Sequence, residues 1–292
     1  MTAPLKVGLN LVFIQPEHLA RVAHAAEALG FDSVWMGEHV ALPSEGDWWR
    51  GYPGKPAKES DMTFRPENDW LDPLAVFAHL AAATQTIRFG VGIYMLALRN
   101  PVIIARTLAT IDVLSRGRLT LGVGLGWSPA EYEITENDFK SRGKRTDEAI
   151  ECIRAMFDPR ETFPEYHGKI FDVPKIGFLP KPVQNPFPIH IGGYSDAAVK
   201  RAARLGDGYY GNPDYIPAIK DALLAEGRKL EGFEFSNSVQ QESQTNLEHL
   251  GRLAERGVHR AIVQPWKHHV PMGLEAIDRA ANFAEKIGLQ PA

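Results

Sequence analysis

Short apolar segments alternate with amphipathic segments along most of the chain. Each apolar segment predicts a strand, because strands that are covered on both faces form near-continuous apolar runs. The predicted strands cover residues 6–11, 32–36, 88–94, 118–123, 187–191, 206–210 and 258–263. One further segment, residues 233–240, predicts only a weak strand because Ser236, Asn237 and Ser238 interrupt its apolar pattern.

The amphipathic segments predict helices between these strands. Asp72 and Asn100 each stand before a proline, which places a capping side chain ahead of a first-turn proline. Ser195 is in position to cap a helix that ends at Gly206. Alternating strands and helices indicate a parallel α/β sheet, and eight units over this length favour a (β/α)8 TIM barrel over the alternative, an open doubly wound sheet. We expect a single domain over residues 1–292.

The predicted strands are unevenly spaced. The second and fourth strands are followed by about twice the chain length of an ordinary βα unit. We therefore expect long insertions after strands 2 and 4, at the C-terminal end of the barrel, where barrel enzymes have their active sites. The first insertion is rich in aromatic residues, namely Trp48, Trp49, Tyr52, Phe64 and Trp70. It is either an apolar lid over an organic ligand or a long loop that its aromatic residues anchor to the barrel.

The composition excludes several classes of protein and partner. The 292 residues carry 32 Lys and Arg against 36 Asp and Glu, for a net charge of -4, which argues against nucleic acid or an anionic membrane as a partner. Cys152 is the single cysteine, which excludes a disulfide framework and a thiolate zinc site. The first residues lack the apolar run of a signal peptide, and no stretch reaches the ~18 apolar residues of a membrane span. We expect a cytoplasmic protein.

One histidine stands where barrel enzymes hold catalytic groups. His39 follows the second predicted strand, and an imidazole there is suited to proton transfer or to hydrogen bonding of a bound ring. Most of the ten histidines are better explained as surface or packing residues. His268 and His269 are adjacent and diverge on a regular element, and no HExxH or carboxylate cluster accompanies them. We therefore predict no metal site.

Glycines recur at alternate positions in the third and fourth predicted strands. The segment GVGLGW, from Gly122 to Trp127, is not a dinucleotide fingerprint, because Trp127 occupies the place of the third glycine. Gly90 and Gly92 repeat the alternation on strand three. Such glycines remove side chains from one face, and we expect a flat ligand to approach the backbone there. The alternative is close packing within the barrel interior.

The segment IGGYS leads from the fifth predicted strand into a helix. Backbone N–H groups at Gly193, Tyr194 and Ser195, with the helix dipole behind them, would form a phosphate site without a lysine. An ordinary tight βα turn has the same pattern.

Four segments carry a resemblance to a known family: LGFDSVWMGEHVALP, LRNPVIIARTLATIDVLSRGRLTLGVGLGW, SRGKRTDEAIECIRAMF and IHIGGYSDAAVKRAARLGDGYY. Together they resemble the bacterial luciferase-like monooxygenase superfamily, and most closely its deazaflavin (coenzyme F420)-dependent oxidoreductase branch. The resemblance covers nearly the whole chain to about Gly211 and then fades.

The resemblance implies a barrel with the flavin or deazaflavin ring in its mouth and His39 near the reactive edge of the ring. It also implies a non-prolyl cis peptide behind the ring, which by position is Gly92-Ile93. Gly126 and Trp127 match the rim of strand four. The residues that match the phosphate-binding turn are Gly192, Gly193, Tyr194 and Ser195.

The chain also departs from part of this branch. Its sugar-phosphate dehydrogenases have a glutamate proton donor where this chain has Trp127, so we do not expect glucose-6-phosphate oxidation. Glu131 matches an acidic position common in the branch, to which the sequence assigns no role.

We therefore expect an oxidoreductase that transfers a hydride between coenzyme F420 and a small, mostly apolar organic substrate. The rim residues favour such a substrate, since they are tryptophans rather than charges: Trp48, Trp49, Trp127 and Trp266. One alternative is an FMN-dependent luciferase-like monooxygenase that uses O2, and another is a catalytically silent flavin-binding or partner-binding barrel. The resemblance also implies a homodimer. The physiological substrate and the direction of transfer do not follow from the sequence.

Overall fold

A computed structural model of the chain describes residues 4–44, 66–239, 245–266 and 271–291. Its strands are β1 Lys6–Asn10, β2 Ser33–Met36, β3 Arg88–Tyr94, β4 Leu119–Val123, β5 Tyr166–His167, β6 Asp172–Val173, β7 Ile189–Gly192, β8 Gly208–Tyr210, β9 Glu234–Ser238 and β10 Arg260–Val263. Among these described strands, eight are parallel and close into a barrel in the order β1-β10-β9-β8-β7-β4-β3-β2. The predicted (β/α)8 barrel is confirmed, and the open sheet is excluded.

Helices connect the barrel strands and cover them from outside. They are α1 Leu19–Ala28, α2 Pro73–Ala83, α3 Pro101–Ser115, α4 Pro129–Ile134, α5 Arg142–Phe157, α6 Asp196–Leu205, α7 Ile216–Ala225, α8 Leu247–Glu255 and α9 Glu275–Ile287. Asp72, Asn100 and Ser195 each accept a hydrogen bond from a first-turn N–H, so the three predicted N-caps are confirmed. None of the helices in the described part of the chain is long and apolar enough to cross a membrane.

The weakly predicted strand is present as β9. Phe235 belongs to the apolar core between the barrel and the helices, whereas Glu234 bonds to Arg260 inside the barrel. Because side chains alternate along a strand, Ser236 and Ser238 also face the interior. The serines therefore do not interrupt the strand; they give it a polar inner face.

The lower half of the barrel interior is ionic and is closed above by aromatic rings. Arg260 is 2.7 Å from Asp32 and 2.9 Å from Glu234, which Lys6 also approaches at 3.2 Å. Above these ions the rings of Trp35 and Tyr210 stack at 5.4 Å with an interplanar angle of 16°. The stacked pair forms the floor of the barrel mouth, which opens at the C-terminal ends of the strands.

The connection from β4 to β7 is long, as the spacing of the strands predicts. It contains α4, α5 and the antiparallel ribbon of β5 and β6. The connection after β2 is described only in part, and Trp48, Trp49, Tyr52 and Phe64 lie outside the described residues. The predicted lid role of those aromatics therefore stays a prediction.

Candidate active site

His39 lies at the C-terminal end of β2, where it is held by a glutamate from the other side of the site. Glu131 stands in the first turn of α4, after β4, and is fully buried. Both of its carboxylate oxygens are 3.2 Å from His39 Nδ1, and Oε1 accepts a hydrogen bond from the Val40 N–H at 2.8 Å. A carboxylate can only accept, so Nδ1 carries a proton. In the neutral ring Nε2 is then the nitrogen that carries the lone pair.

Aromatic side chains surround the histidine–glutamate pair. The Trp70 and Trp127 rings meet the His39 ring edge-to-face at 4.8 Å and 5.6 Å. Phe13 supports Trp70 from behind at 5.2 Å, and it does so from a left-handed backbone conformation with φ of 66°. A bulky residue rarely adopts the left-handed conformation, and the residues that do so are often found at functional sites. The aromatic rings keep water from the pair and so strengthen its hydrogen bonds.

Glu38 precedes His39 but takes part in a different contact. Its carboxylate accepts a hydrogen bond from the Met95 N–H at 2.8 Å and pairs with Arg99. Burial raises the pKa of Glu38 to about 7, against the lowering effects of Arg99 and the Met95 N–H. Glu38 therefore ties the end of β2 to the loop after β3.

The predicted cis peptide bond is present between Gly92 and Ile93. The pairing of β3 with β4 shifts register at this point, and both residues remain partly exposed although they lie on an inner strand. The Ile93 side chain lies over two glycines, since a Cβ at Gly124 or Gly192 would approach it to 2.5 or 2.6 Å. Gly124 and Gly192 thus let Ile93 form a smooth apolar surface at the mouth.

The expectation that glycines leave a bare wall for a flat ligand is wrong for the lower part of β3 and β4. A Cβ at Gly90 would lie 2.3 Å from the Trp35 ring, and one at Gly92 would lie 2.6 Å from the Tyr210 ring. A Cβ at Gly122 would lie 2.1 Å from the Val91 carbonyl oxygen. Close packing of the interior therefore explains these glycines. The surface that remains partly exposed is the Gly92-Ile93 peptide with the Ile93 side chain.

Glycine is required at position 126 for a different reason from that at the glycines lower in β3 and β4. Its φ is +66°, a conformation that favours glycine, and a Cβ there would lie 2.3 Å from the Met95 sulfur. The Tyr132 hydroxyl donates to the carbonyl of Leu125 and fixes the same turn. The turn at Gly126 brings Trp127 against His39.

The turn from β7 into α6 has the features of an anion site. Gly193 has φ of +136°, and a Cβ there would lie 2.8 Å from Ala198. Ser195 caps the helix by accepting from the Ala198 N–H at 3.3 Å. Gly193 is partly exposed, and Tyr194 and Ser195 are exposed, so a ligand can reach this helix N-terminus.

Two tyrosines engage the carbonyl oxygens of this turn. The Tyr209 hydroxyl donates to the Gly193 carbonyl at 2.7 Å, and the Tyr215 hydroxyl donates to the Tyr194 carbonyl at 2.8 Å. Carbonyl oxygens repel an anion, and these hydrogen bonds reduce that repulsion. The turn and the partly exposed Ile93 surface together fit a planar ring that carries a phosphate on its tail.

The remaining predicted residues, Trp266 at the rim and the histidines considered for a metal site, add nothing to the candidate site. Trp266 is buried rather than exposed at the rim. In the part of the chain that the structure describes, no three His, Cys, Asp or Glu side chains lie close enough to bind a metal ion. His268 and His269 lie outside the described residues.

Known proteins resemble this chain in sequence and in fold. A family model, luciferase-like monooxygenase, matches residues 4–287. The uncharacterized protein Rv0940c of Mycobacterium tuberculosis is 34% identical over 72% of this chain and 69% of its own length. An F420-dependent glucose-6-phosphate dehydrogenase of Kineococcus radiotolerans is 30% identical over 77% of this chain and 64% of its own length.

A solved structure of an F420-dependent secondary alcohol dehydrogenase, in complex with an F420-acetone adduct, superposes with a TM-score of 0.76. The superposition covers 99% of this chain and 100% of that chain at 17% sequence identity, which shows a common fold.

Proposed function

The chain belongs to the luciferase-like monooxygenase family, and from this premise we propose that it is an oxidoreductase that transfers a hydride between coenzyme F420 and a small organic substrate. The observation that carries the proposal is the His39–Glu131 pair at the mouth of a barrel that also presents a partly exposed Gly92-Ile93 peptide. The relative from Kineococcus radiotolerans, which is F420-dependent, favours F420 over FMN.

The proposed cofactor site uses residues from three neighbouring strands. Gly92 and Ile93 would support one face of the ring, and Gly126 and Trp127 would border it at the end of β4. The turn that would hold the phosphate comprises Gly192, Gly193, Tyr194 and Ser195. When bound, F420 supplies a two-electron carrier that takes up or releases a hydride at a ring carbon.

His39 would move the proton that accompanies the hydride. In the oxidation of an alcohol, Nε2 of the neutral ring accepts the hydroxyl proton, and in carbonyl reduction the protonated ring returns it. Glu131 holds the proton on Nδ1 in both directions and stabilises the ring when Nε2 is also protonated. Trp70 and Trp127 exclude water from this proton transfer.

Trp127 favours a substrate without a sugar phosphate. Its indole lies against His39, so the position next to the reacting group is apolar. We therefore propose a small, mostly apolar substrate and not glucose 6-phosphate, even though the F420-dependent relative is named for that sugar phosphate.

A binding titration tests the cofactor. We expect the apo protein to bind F420 with a dissociation constant in the micromolar range and to bind FMN at least about tenfold more weakly. F420 fluorescence and FMN fluorescence report the two titrations. Tighter FMN binding, with oxygen consumption by the FMNH2-loaded protein, would replace the proposal with the monooxygenase. Binding of neither would remove the functional proposal.

The homodimer is a further proposal that rests on the family resemblance alone. Sedimentation velocity at micromolar protein measures it directly, and a single species at the 32.4 kDa monomer mass contradicts it.

A further inference from the structure

One side of the barrel mouth is polar and lies opposite the proposed cofactor wall. In the closed strand order, β10 lies across the barrel from β4, and β1 lies across from β7. Ile93, which packs over Gly124 and Gly192, belongs to the β3, β4 and β7 side. A ring against that side leaves the ends of β10 and β1 to face the substrate.

Gln264 directly follows β10 and faces the barrel interior. Ala261 and Val263 point outward into the apolar core, whereas Arg260 points inward to Asp32 and Glu234. Because side chains alternate, Gln264 lies on the inner face with Arg260. The Gln264 side chain is nine-tenths or more buried, with 1% of the residue exposed.

A chain of hydrogen bonds fixes the orientation of the Gln264 amide. The Val12 N–H donates to Asn10 Oδ1 at 3.0 Å, so the Asn10 amide nitrogen must point the other way. That nitrogen donates to Gln264 Oε1 at 3.2 Å. A flipped Gln264 would place two donors against each other, which excludes the reverse assignment. Gln264 Nε2 is thereby directed away from Asn10.

Gln264 Nε2 is a buried donor without an acceptor among the residues that the structure describes. An amide nitrogen can only donate, and an unpaired buried donor is destabilising, so Nε2 is satisfied by an acceptor from outside the chain, either a water or an oxygen of the substrate that displaces it. The fully buried Glu131 carboxylate beside His39 already gives this end of the barrel a negative charge, which disfavours a carboxylate substrate. An uncharged carbonyl or hydroxyl oxygen is the acceptor that fits.

We propose that Gln264 is a specificity-determining residue whose Nε2 donates a hydrogen bond to an uncharged carbonyl or hydroxyl oxygen of the substrate. The inference rests on the proposed function, because it assumes a ring on the opposite wall. It assigns Asn10 the role of orienting Gln264.

Thermal melting of the F420-loaded protein with small probes tests the inference. The probes are cyclohexanone and cyclohexanol, with methylcyclohexane as a probe of similar size that lacks oxygen. Gln264→Met has a similar length and no donor, and Gln85→Met is the matched control at an exposed position before β3. F420 fluorescence titration of each variant reports cofactor binding separately.

We expect cyclohexanone or cyclohexanol to raise the Tm of the wild type and of Gln85→Met more than methylcyclohexane does. In Gln264→Met we expect an F420 dissociation constant within about twofold of wild type and a smaller preference for the oxygen-bearing probes than in the wild type, because only the contact of the probe oxygen with His39 remains. A Gln264→Met protein that keeps the full wild-type preference, whatever its Tm without probe, would overturn the inference and leave Gln264 as a structural partner of Asn10. A wild type that prefers neither oxygen-bearing probe would also overturn it.

A second measurement needs only the wild type and therefore tests the inference even if Gln264→Met does not fold. In the 15N spectrum of the wild type, the Gln264 side-chain amide should shift on titration with cyclohexanone and not with methylcyclohexane. Absence of that shift contradicts the inference, whereas loss of F420 binding in the wild type contradicts the proposed function instead.

Discussion

Replacing Glu131 by glutamine should move the ring proton of His39 from one nitrogen to the other, although the two side chains at position 131 have nearly the same shape. The new side chain would keep an oxygen to accept from the Val40 N–H. Its amide nitrogen would then face His39 Nδ1 and donate to it, because an amide nitrogen cannot accept. The ring proton would move to Nε2, and the nitrogen proposed to meet the substrate would lose its lone pair.

The magnitude follows from the distance and the burial of the pair. Each carboxylate oxygen is 3.2 Å from Nδ1, and Glu131 is fully buried. With charge centres ~4 Å apart and an effective dielectric constant of ~20, the carboxylate stabilises a protonated ring by about 4 kcal/mol. That corresponds to a loss of about 10³-fold in kcat, within the range of about 10²–10⁴ that general acid–base catalysis contributes.

Two measurements check this prediction. Proton-detected 15N spectra of the histidine rings should show His39 with its proton on Nδ1 in the wild type and on Nε2 in Glu131→Gln. Turnover of the best alcohol in a panel, followed by F420 absorbance, should fall in kcat with KM within about threefold. Glu133→Gln, an exposed position on the same helix, is the control. An unchanged His39 tautomer with kcat within about twofold of wild type would refute the reasoning.

Four further predictions have defined outcomes. His39→Ala should lower turnover by about 10²–10⁴-fold and leave the F420 dissociation constant, measured by fluorescence, within about twofold. Gly193→Asp should bind F420 at least about fivefold more weakly than Gly193→Asn, which carries the same strain without the charge; equal affinities would exclude a phosphate at this turn. Asp196→Asn, at the exposed first turn of α6, should tighten F420 binding by about two- to fivefold at low salt, and about 0.5 M NaCl should remove the gain. Burial raises the pKa of Glu38 from 4.5 to about 7, so between these pH values the folded protein keeps a proton that the unfolded chain has lost. The free energy of unfolding, measured with urea, should therefore fall by up to about 3 kcal/mol between about pH 5 and pH 8. In Glu38→Gln this fall should be absent.

The strands could be predicted because a closed parallel barrel covers them on both sides. Seven of the eight described barrel strands coincide with near-continuous apolar runs, to within two residues at every end. The eighth, β9, has a polar inner face because it adjoins the ionic interior and the mouth. Such a face weakens the apolar pattern that predicts a strand.

From the sequence, a residue of the candidate site could be predicted only where its type and its position after a predicted strand were enough to suggest a role. His39 stands three residues after the end of β2, and the resemblance located Gly92-Ile93. Glu131 is 92 residues away from His39 in the chain, and the contact depends on how the loop after β4 folds back over the mouth. A sequence pattern contains no signal for that return, and the resemblance marked Glu131 only as an acidic position without an assigned role.

Glycines show a further limit of sequence reasoning. A glycine indicates that something approaches the backbone closely, but it does not identify the approaching group. At Gly90 that group is Trp35 of the neighbouring strand, not a ligand. The unpaired amide of Gln264 was equally invisible, because an unmade hydrogen bond appears only when every neighbour has been placed.

The stacked Trp35 and Tyr210 rings lie between the ionic interior of the barrel and its mouth, and the Arg260 guanidinium lies 5.8 Å from the centre of the Trp35 ring. Below them, Arg260 and its acidic partners join β1, β2, β9 and β10 by contacts that involve none of the proposed cofactor or substrate residues. Substitutions above the rings that keep Trp35 and Tyr210 therefore leave these ion pairs in place. Mutagenesis aimed at new substrates should therefore be confined to residues above the two rings.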